Sequence, residues 1–213
     1  ATPLIKRGSA LNVTSASACS PSTVDLEVQN VEFGVTYTWY EKPDGASAFI
    51  PISGTGTTTS ISATSDVKVV ATKAGCTEKS SAEVEVTINE AEEAVLTGGG
   101  TPVCAGSDLE FTISNYSATS SYAVTSTTAG APTLSADGTG YKGTSPSVST
   151  STSYTYNVVV TDANGCISDG VDITLTVNPL PVAKAVEFNL GSGTYSTTAQ
   201  TLCDDGSVSM RVK

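Results

Sequence analysis

A cysteine followed by three alternating apolar residues occurs three times in the sequence. The apolar residues stand five, seven and nine positions after the cysteine in every case. The three sets are Cys19 with Val24, Leu26 and Val28, Cys104 with Leu109, Phe111 and Ile113, and Cys203 with Val208, Met210 and Val212. Apolar residues at every second position predict a strand with one buried face. The repetition therefore predicts that one supersecondary unit begins three times in the chain.

Later parts of the first unit also recur in the second, at a constant offset of 89 residues. This offset relates Val67, Val69 and Ala71 to Tyr156, Val158 and Val160, and it relates Val84, Val86 and Ile88 to Ile173, Leu175 and Val177. The repeats predict three units, at residues 1–90, 91–180 and 181–213. The third reaches only its second strand, and two strands cannot bury a core. We expect residues 181–213 to be the incomplete N-terminal part of a third repeat.

Each complete unit is predicted to contain about seven short strands, and the first has a core tryptophan, Trp39, on its third main strand, where the second has Val124. This pattern is typical of an immunoglobulin-like sandwich, so the predicted fold class is all-β, with tandem antiparallel β-sandwiches. A weak first strand is expected from Leu4 to Val13, interrupted at Gly8. The predicted core includes Leu26, Trp39, Val69, Phe111, Tyr156 and Val158.

The five cysteines indicate disulfide bonds, and disulfides indicate export to an oxidising compartment. A zinc site would need ligands clustered at short spacing, and the sequence has no such cluster. Free buried thiols are the remaining alternative.

Two pairings of these cysteines are open. The first joins cysteines within each unit, Cys19 with Cys76 and Cys104 with Cys166. In a seven-stranded sandwich, however, those positions lie at opposite ends, with each cysteine roughly 23 Å from the middle of its strand. A disulfide tolerates Cα separations of only about 4.4–6.8 Å. We therefore prefer a bond between units, Cys19–Cys166, which would leave Cys76, Cys104 and Cys203 unpaired within this segment.

Charge and composition bear on several classes of function. The net charge of −11 makes nucleic acid an unfavourable partner, because binding there depends on Lys and Arg neutralising phosphates. No apolar run is long enough to span a membrane. The chain has no histidine, which removes the commonest general base and metal ligand. We expect neither catalysis nor a cofactor.

Four local patterns are weaker candidates for sites. Asp162 and Asn164 resemble half of a calcium loop, although a plain hairpin turn is the favoured interpretation. Asp204 and Asp205 have the same two interpretations, and a solvated turn is favoured. The other two patterns are a sugar-stacking platform formed by Tyr37, Trp39 and Tyr40, of which Trp39 is expected to be core, and glycosylation sequons at Asn12 and Asn115.

Several short motifs resemble the Ig-like and PKD-like repeats of large secreted surface adhesins of the Bacteroidota. The motifs are Trp39-Tyr40, Cys-x-Gly-Ser at Cys104 to Ser107, Asn-Gly-Cys at Asn164 to Cys166, and Val-Asn-Pro-x-Pro-Val at Val177 to Val182. The resemblance implies export by the type IX route to the bacterial cell surface, and a role as a stalk in attachment or gliding motility.

The resemblance also implies partners, of which neighbouring repeats of the same long chain are the first. Two alternatives remain open: a module that binds surface glycans or proteins, and a filament subunit completed by a strand from another chain.

Overall fold

The computed structural model describes residues 1–189, 195–198 and 208–212. Every helix or strand assigned within these ranges is a β-strand. The strands form two complete sandwiches and the beginning of a further sheet. Cys203, Asp204, Asp205 and Lys213 lie outside the described residues.

Nine strands form the first sandwich. One of its sheets has the order β1-β3-β6, and the other has the order β2-β9-β7-β4-β5 with β8 paired to β7. The strands are β1 (Ile5–Lys6), β2 (Ser15–Cys19), β3 (Val24–Val28), β4 (Thr36–Pro43), β5 (Ile50–Thr55), β6 (Thr58–Ile61), β7 (Ser65–Thr72), β8 (Lys79–Ser80) and β9 (Val84–Asn89).

Eight strands form the second sandwich, in two four-stranded sheets of order β10-β12-β15-β14 and β11-β17-β16-β13. They are β10 (Leu96–Gly98), β11 (Val103–Cys104), β12 (Asp108–Ile113), β13 (Ser121–Ser126), β14 (Ser135–Asp137), β15 (Gly140–Thr144), β16 (Thr152–Thr161) and β17 (Val171–Asn178).

The two sandwiches share the registers of their central strands, although one edge strand differs: β5 pairs with β4 in the first, and β14 pairs with β15 in the second. Trp39 lies opposite Val69 in the first, and Val124 lies opposite Val158 in the second. Ile5 pairs with Val28, as Leu96 pairs with Ile113. Because a slip of one residue would turn every side chain to the other face, equal registers mean that equivalent residues enter the two cores.

Each sandwich has its own core, and the six predicted core residues are all buried. Leu26, Trp39 and Val69 belong to the first cluster, and Phe111, Tyr156 and Val158 belong to the second. The polar atoms of the two large aromatic side chains are paired: Trp39 Nε1 donates to the Gly56 carbonyl at 3.1 Å, and the Tyr156 hydroxyl donates to the Pro132 carbonyl at 2.8 Å. Burial raises the pKa of Tyr156 to about 12.

The prediction of one weak strand from Leu4 to Val13 is wrong, because two separate strands form in this part of the chain. The chain forms β1 in one sheet, and after Gly8 it crosses to form β2 in the other sheet. There β2 runs parallel to β9, and β11 runs parallel to β17 in the second sandwich. The two sheets that contain β2 and β11 are therefore mixed, and the prediction of wholly antiparallel sandwiches is corrected in this respect. Ser15–Cys19 lies at the edge of its sheet and has no large apolar residue. Its sequence therefore lacks the alternating apolar pattern from which a strand is predicted.

A two-stranded antiparallel sheet follows the second sandwich. It joins β18 (Val186–Asn189) to β19 (Ser209–Val212), with Val186 opposite Val212. Val208, Met210 and Val212 are 38%, 65% and 69% exposed.

Truncation of a core leucine should destabilise the first sandwich. Leu26 is fully buried, so we expect Leu26→Ala to lower the free energy of unfolding by about 2–5 kcal/mol through lost burial and the cavity left behind. Denaturant unfolding followed by Trp39 fluorescence measures this. Leu11→Ala is the matched control, because Leu11 is 60% exposed and the same truncation there should cost less than about 0.5 kcal/mol. Equal effects of the two variants would contradict the assigned core.

Candidate functional site

The position of Cys19 follows from the parallel pairing of β2 with β9. Cys19 is the last residue of β2 and lies opposite Asn89, the last residue of β9. The backbone N–H of Ser20 donates to the Asn89 carbonyl at 2.9 Å, and the N–H of Ser22 donates to the Cys19 carbonyl at 2.8 Å. These bonds turn the chain back toward β3. Cys19 is thus held where the chain leaves the first sandwich.

Cys166 lies in the turn that joins β16 to β17. Asp162 organises this turn, because its Oδ1 accepts hydrogen bonds from the backbone N–H groups of Asn164 at 2.8 Å and Cys166 at 2.9 Å. Gly165 has a φ of +82°, a conformation that glycine adopts without steric cost. Cys166 is only 1% exposed as a result.

Cys19 and Cys166 are joined by a disulfide bond between the two sandwiches. Their Cα atoms are 5.4 Å apart although the residues are separated by 147 positions in sequence. The Sγ of Cys166 lies 3.9 Å from the carbonyl oxygen of Asn89, at the end of β9. This is the pairing that the opposite-ends argument prefers, and it places a covalent link beside the linker that joins the sandwiches.

The alternative pairings within each sandwich are wrong. Cys76 and Cys104 are exposed free thiols. Cys19 lies beside the end of β9, near Ser65 where β7 begins, whereas Cys76 follows Thr72 at the far end of β7. The seven steps of β7 between these ends span about 23 Å, far beyond the reach of a disulfide.

A second contact holds the linker against the second sandwich. The side-chain amide of Asn115 donates to the Glu93 carbonyl at 2.8 Å, and its Oδ1 accepts from the Val95 N–H at 2.8 Å. Asn30 does the same in the first sandwich, where it bonds the Thr2 carbonyl at 2.9 Å and the Leu4 N–H at 2.7 Å. Sequence reasoning treated Asn115 as a sequon and missed this role. The signal was an asparagine eleven residues after the cysteine in both units.

The linker contributes to packing at the joint. Residues 90–95 have no assigned helix or strand. Ala94 is 5% exposed and belongs to the second core. A crevice between the sandwiches is lined by Ser20, Pro21, Glu90, Ala91, Glu93, Ile167, Ser168 and Asp169. The joint therefore has three components: a disulfide, an asparagine clamp and a buried linker alanine.

The other sequence candidates have structural roles or remain separate. The carboxylate of Asp162 is engaged by backbone amides, and Asn164 bonds it through its own N–H, so the two form a turn. No cluster of three or more His, Cys, Asp or Glu residues suited to a metal occurs among the described residues. Tyr37 and Trp39 are 4% and 2% exposed, which leaves Tyr40 without the stacking platform considered above. Asn12 is an exposed residue.

Residues 9–89 match the family described as "Ig-like domain CHU_C associated". The match begins just before β2 and ends at the last residue of β9, which covers most of the first sandwich and its Cys19 and Cys76. These residues are therefore similar to an Ig-like domain. The second sandwich follows the same strand registers, as described above. The search of curated proteins found no match.

Solved structures of similar architecture share little sequence with the chain. Fibronectin(III)-like modules of Clostridium thermocellum CbhA match with 12% identity and a TM-score of 0.32, over 83% of this chain and 95% of that one. Four N-terminal Ig domains of Dscam1 match with 14% identity and a TM-score of 0.34, over 84% of this chain and 46% of that one. A Bacteroides ovatus protein, SGBP-B in complex with a mixed-linkage heptasaccharide, matches with 13% identity and a TM-score of 0.30, over 100% of this chain and 62% of that one.

The described residues include no helix with the length and apolar character needed to span a membrane.

Removal of the Asp162 carboxylate should loosen the turn that carries Cys166. Asp162→Ala leaves two backbone N–H groups without their charged acceptor, so we expect the second sandwich to lose about 1.5–3 kcal/mol of unfolding free energy. We also expect Cys19–Cys166 to be reduced faster by a small thiol. Denaturant unfolding and timed alkylation of released thiols measure the two effects.

Asp162→Asn is the matched control, because it keeps an acceptor oxygen and should cost less. Added calcium should leave the melting temperature of all three proteins unchanged. A calcium-dependent rise that Asp162→Ala abolishes would show instead that this carboxylate is a metal ligand.

Replacement of Asn115 should release the linker. Asn115→Ala removes two hydrogen bonds between the second sandwich and the linker backbone, with an expected cost of about 1–3 kcal/mol in total. Hydrogen exchange should accelerate at the Val95 amide, which then loses its acceptor. Asn12→Gly is the control, since the Asn12 side chain is exposed in the other sandwich and glycine accepts its φ of +52° without strain. Unchanged exchange at Val95 would show that Asn115 does not hold the linker.

Proposed function

We propose that this chain is a spacer segment of an extracellular surface protein, in which successive Ig-like sandwiches are held in a fixed mutual geometry. The observation that carries the proposal is the Cys19–Cys166 bond. The proposed role is mechanical. The segment sets the distance and direction between the parts of the protein that precede it and those that follow it. Attachment or gliding at a bacterial surface is the setting that the sequence resemblance supports.

The argument begins with the number of connections between the sandwiches. A short peptide linker alone acts as a hinge, because rotation about a few backbone dihedrals changes the angle and twist between two domains. The disulfide adds a second covalent connection beside the first, with Cα atoms 5.4 Å apart. Two connections prevent the free rotation that one allows. Resistance to bending is the property that a spacer requires.

The position of each cysteine supports the same interpretation. Cys19 is fixed by a strand pairing and Cys166 by a turn that Asp162 organises. Cys19 thus ends a paired strand, and Cys166 lies in a turn whose backbone is fixed by hydrogen bonds to Asp162. Movement at the joint would have to deform these elements, and a packed sheet resists such deformation. The asparagine clamp at Asn115 restrains the linker in the same region.

An extracellular location is supported by the chemistry of the bond. Glutathione and thioredoxin keep most cytosolic thiols reduced, whereas secreted proteins retain disulfides. The net charge of −11 favours solubility and repulsion between neighbouring molecules. The likeness to Bacteroidota surface repeats points to the same place.

Loss of the disulfide should make the joint flexible while the sandwiches stay folded. Cys19→Ser removes the bond and leaves each core intact. We therefore expect a larger average radius of gyration and a broader pair-distance distribution in small-angle X-ray scattering. Circular dichroism should report unchanged strand content. Closing a loop of 147 residues lowers the entropy of the unfolded chain by an amount worth about 5 kcal/mol. This value sets the scale of the unfolding free energy that Cys19→Ser should lose.

The control is the double variant Cys76→Ser, Cys104→Ser, which removes the two exposed thiols and keeps the bond. Its scattering curve should superimpose on that of the unaltered chain. A Cys19→Ser curve that also superimposes would show that the bond does not set the joint geometry, and the proposed function would then lack its basis.

A further inference from the structure

Cys104 occupies in the second sandwich the place that Cys19 occupies in the first. It is the last residue of β11 and lies opposite Asn178, as Cys19 lies opposite Asn89. The residue after Cys104 donates its N–H to the Asn178 carbonyl at 2.9 Å, the distance found for Ser20 and Asn89. The strand pairing and the backbone hydrogen bonds that present Cys19 to a neighbouring sandwich are therefore reproduced around Cys104.

The two cysteines differ in their bonding. Cys19 is bonded to a turn cysteine of the sandwich that follows it, whereas Cys104 is an exposed free thiol. The internal repeat thus provides a comparison within one molecule. The same residue type in the same hydrogen-bonded setting forms a bond where a complete sandwich follows.

The sheet that follows the second sandwich has the register of a new sandwich. Val186 lies opposite Val212, nine residues after Cys203. Ile5 lies opposite Val28 and Leu96 opposite Ile113, each nine residues after Cys19 or Cys104. Thus β18 and β19 reproduce the pairing of β1 with β3 and of β10 with β12.

One face of this sheet is uncovered within the described residues. Val208, Met210 and Val212 are 38%, 65% and 69% exposed, whereas their equivalents Val24, Leu26 and Val28 are 0%, 0% and 3% exposed. In the first sandwich the covering surface consists of β4, β7 and β9, whose inward residues include Trp39, Val69 and Val86. The uncovered face therefore fits the remaining strands of an Ig-like unit.

We propose that β18 and β19 belong to one wall of a third Ig-like sandwich in the same chain, and that Cys104 forms a disulfide with a cysteine in the turn before that sandwich's last strand. This inference deepens the proposed spacer function and rests on it, because it makes the clamp of the first joint a repeating element. The partner turn is equivalent to the turns that carry Cys76 and Cys166.

The bond forms by oxidation of two thiols. Each thiol loses a proton, the S–S bond forms, and two electrons pass to the disulfide of oxidised glutathione or of a thiol oxidoreductase, which becomes two thiols. Two protons and two electrons are thus transferred in total.

The test completes the third sandwich with strands from the second. Residues 1–212 are followed directly by a copy of residues 114–178, because Val212 and Ile113 hold equivalent positions. The appended copy brings its own turn, with a second Cys166. After refolding in a glutathione buffer, non-reducing peptide mapping should show Cys104 linked to the appended Cys166. Labelling of Cys104 by a maleimide should fall at least tenfold relative to the unextended chain.

A second extended chain keeps the test possible if the first one does not fold. It places residues 3–89 after residue 183, so that Ile5 takes the position of Val186 and the native first sandwich supplies Cys76 in the partner turn. A link from Cys104 to the appended Cys76 is expected. In both chains, replacement of the appended turn cysteine by serine should restore labelling of Cys104.

The results that overturn the proposal are specific. It is wrong if the extended chains are monomeric and folded by circular dichroism while Cys104 stays reactive. It is also wrong if Cys104 links two chains, or if the unextended chain covers Val208, Met210 and Val212 by dimerising through a strand of another copy. The Cys19–Cys166 link serves as an internal check in every case, because its absence would count against the proposed function itself.

Discussion

The short reach of a disulfide bond is the constraint on which the joint depends. Two cysteines can bond only when their Cα atoms lie within about 4.4–6.8 Å, whereas the ends of a sandwich are separated by the full length of its strands. Because each complete unit carries its cysteines at opposite ends, neither can close a bond within its own unit. Cys19 and Cys166 meet at 5.4 Å because the end of one sandwich faces the beginning of the next. The same cysteines that cannot stabilise their own cores can therefore connect neighbouring ones.

Much of the fold could be predicted from period-two patterns. Val24, Leu26 and Val28 alternate with Asp25 and Glu27, and all three apolar residues are buried. Strand β2 could not be predicted in this way. Its residues are small and its burial is partial, because it occupies the edge of a sheet and is held by backbone hydrogen bonds to β9. Hydrophobic periodicity detects strands that face a core and misses those that only extend a sheet.

At the joint, too, some features could be predicted from the sequence and others could not. The positions of Cys19 and Cys166 followed from strand length and the geometry of a disulfide. The hold of Asn115 on Glu93 and Val95 did not, because an asparagine in a loop has no periodicity and its partners lie some twenty residues away. Only the repeated spacing from the preceding cysteine, shared with Asn30, could have indicated it. The role of Asp162 is intermediate: the turn was predictable from Asn164-Gly165, but the use of its carboxylate to position Cys166 required the folded backbone.

The disulfide also changes what a cut in the chain would do. Exposed linkers between domains are preferred sites of cleavage by proteases. Because the bond closes a covalent loop from Cys19 to Cys166, a single cleavage at residues 90–95 leaves both fragments attached. The linker can thus be severed without the release of what lies beyond it. Continuity of the segment depends on two independent covalent paths at this joint, and both must be broken before it separates.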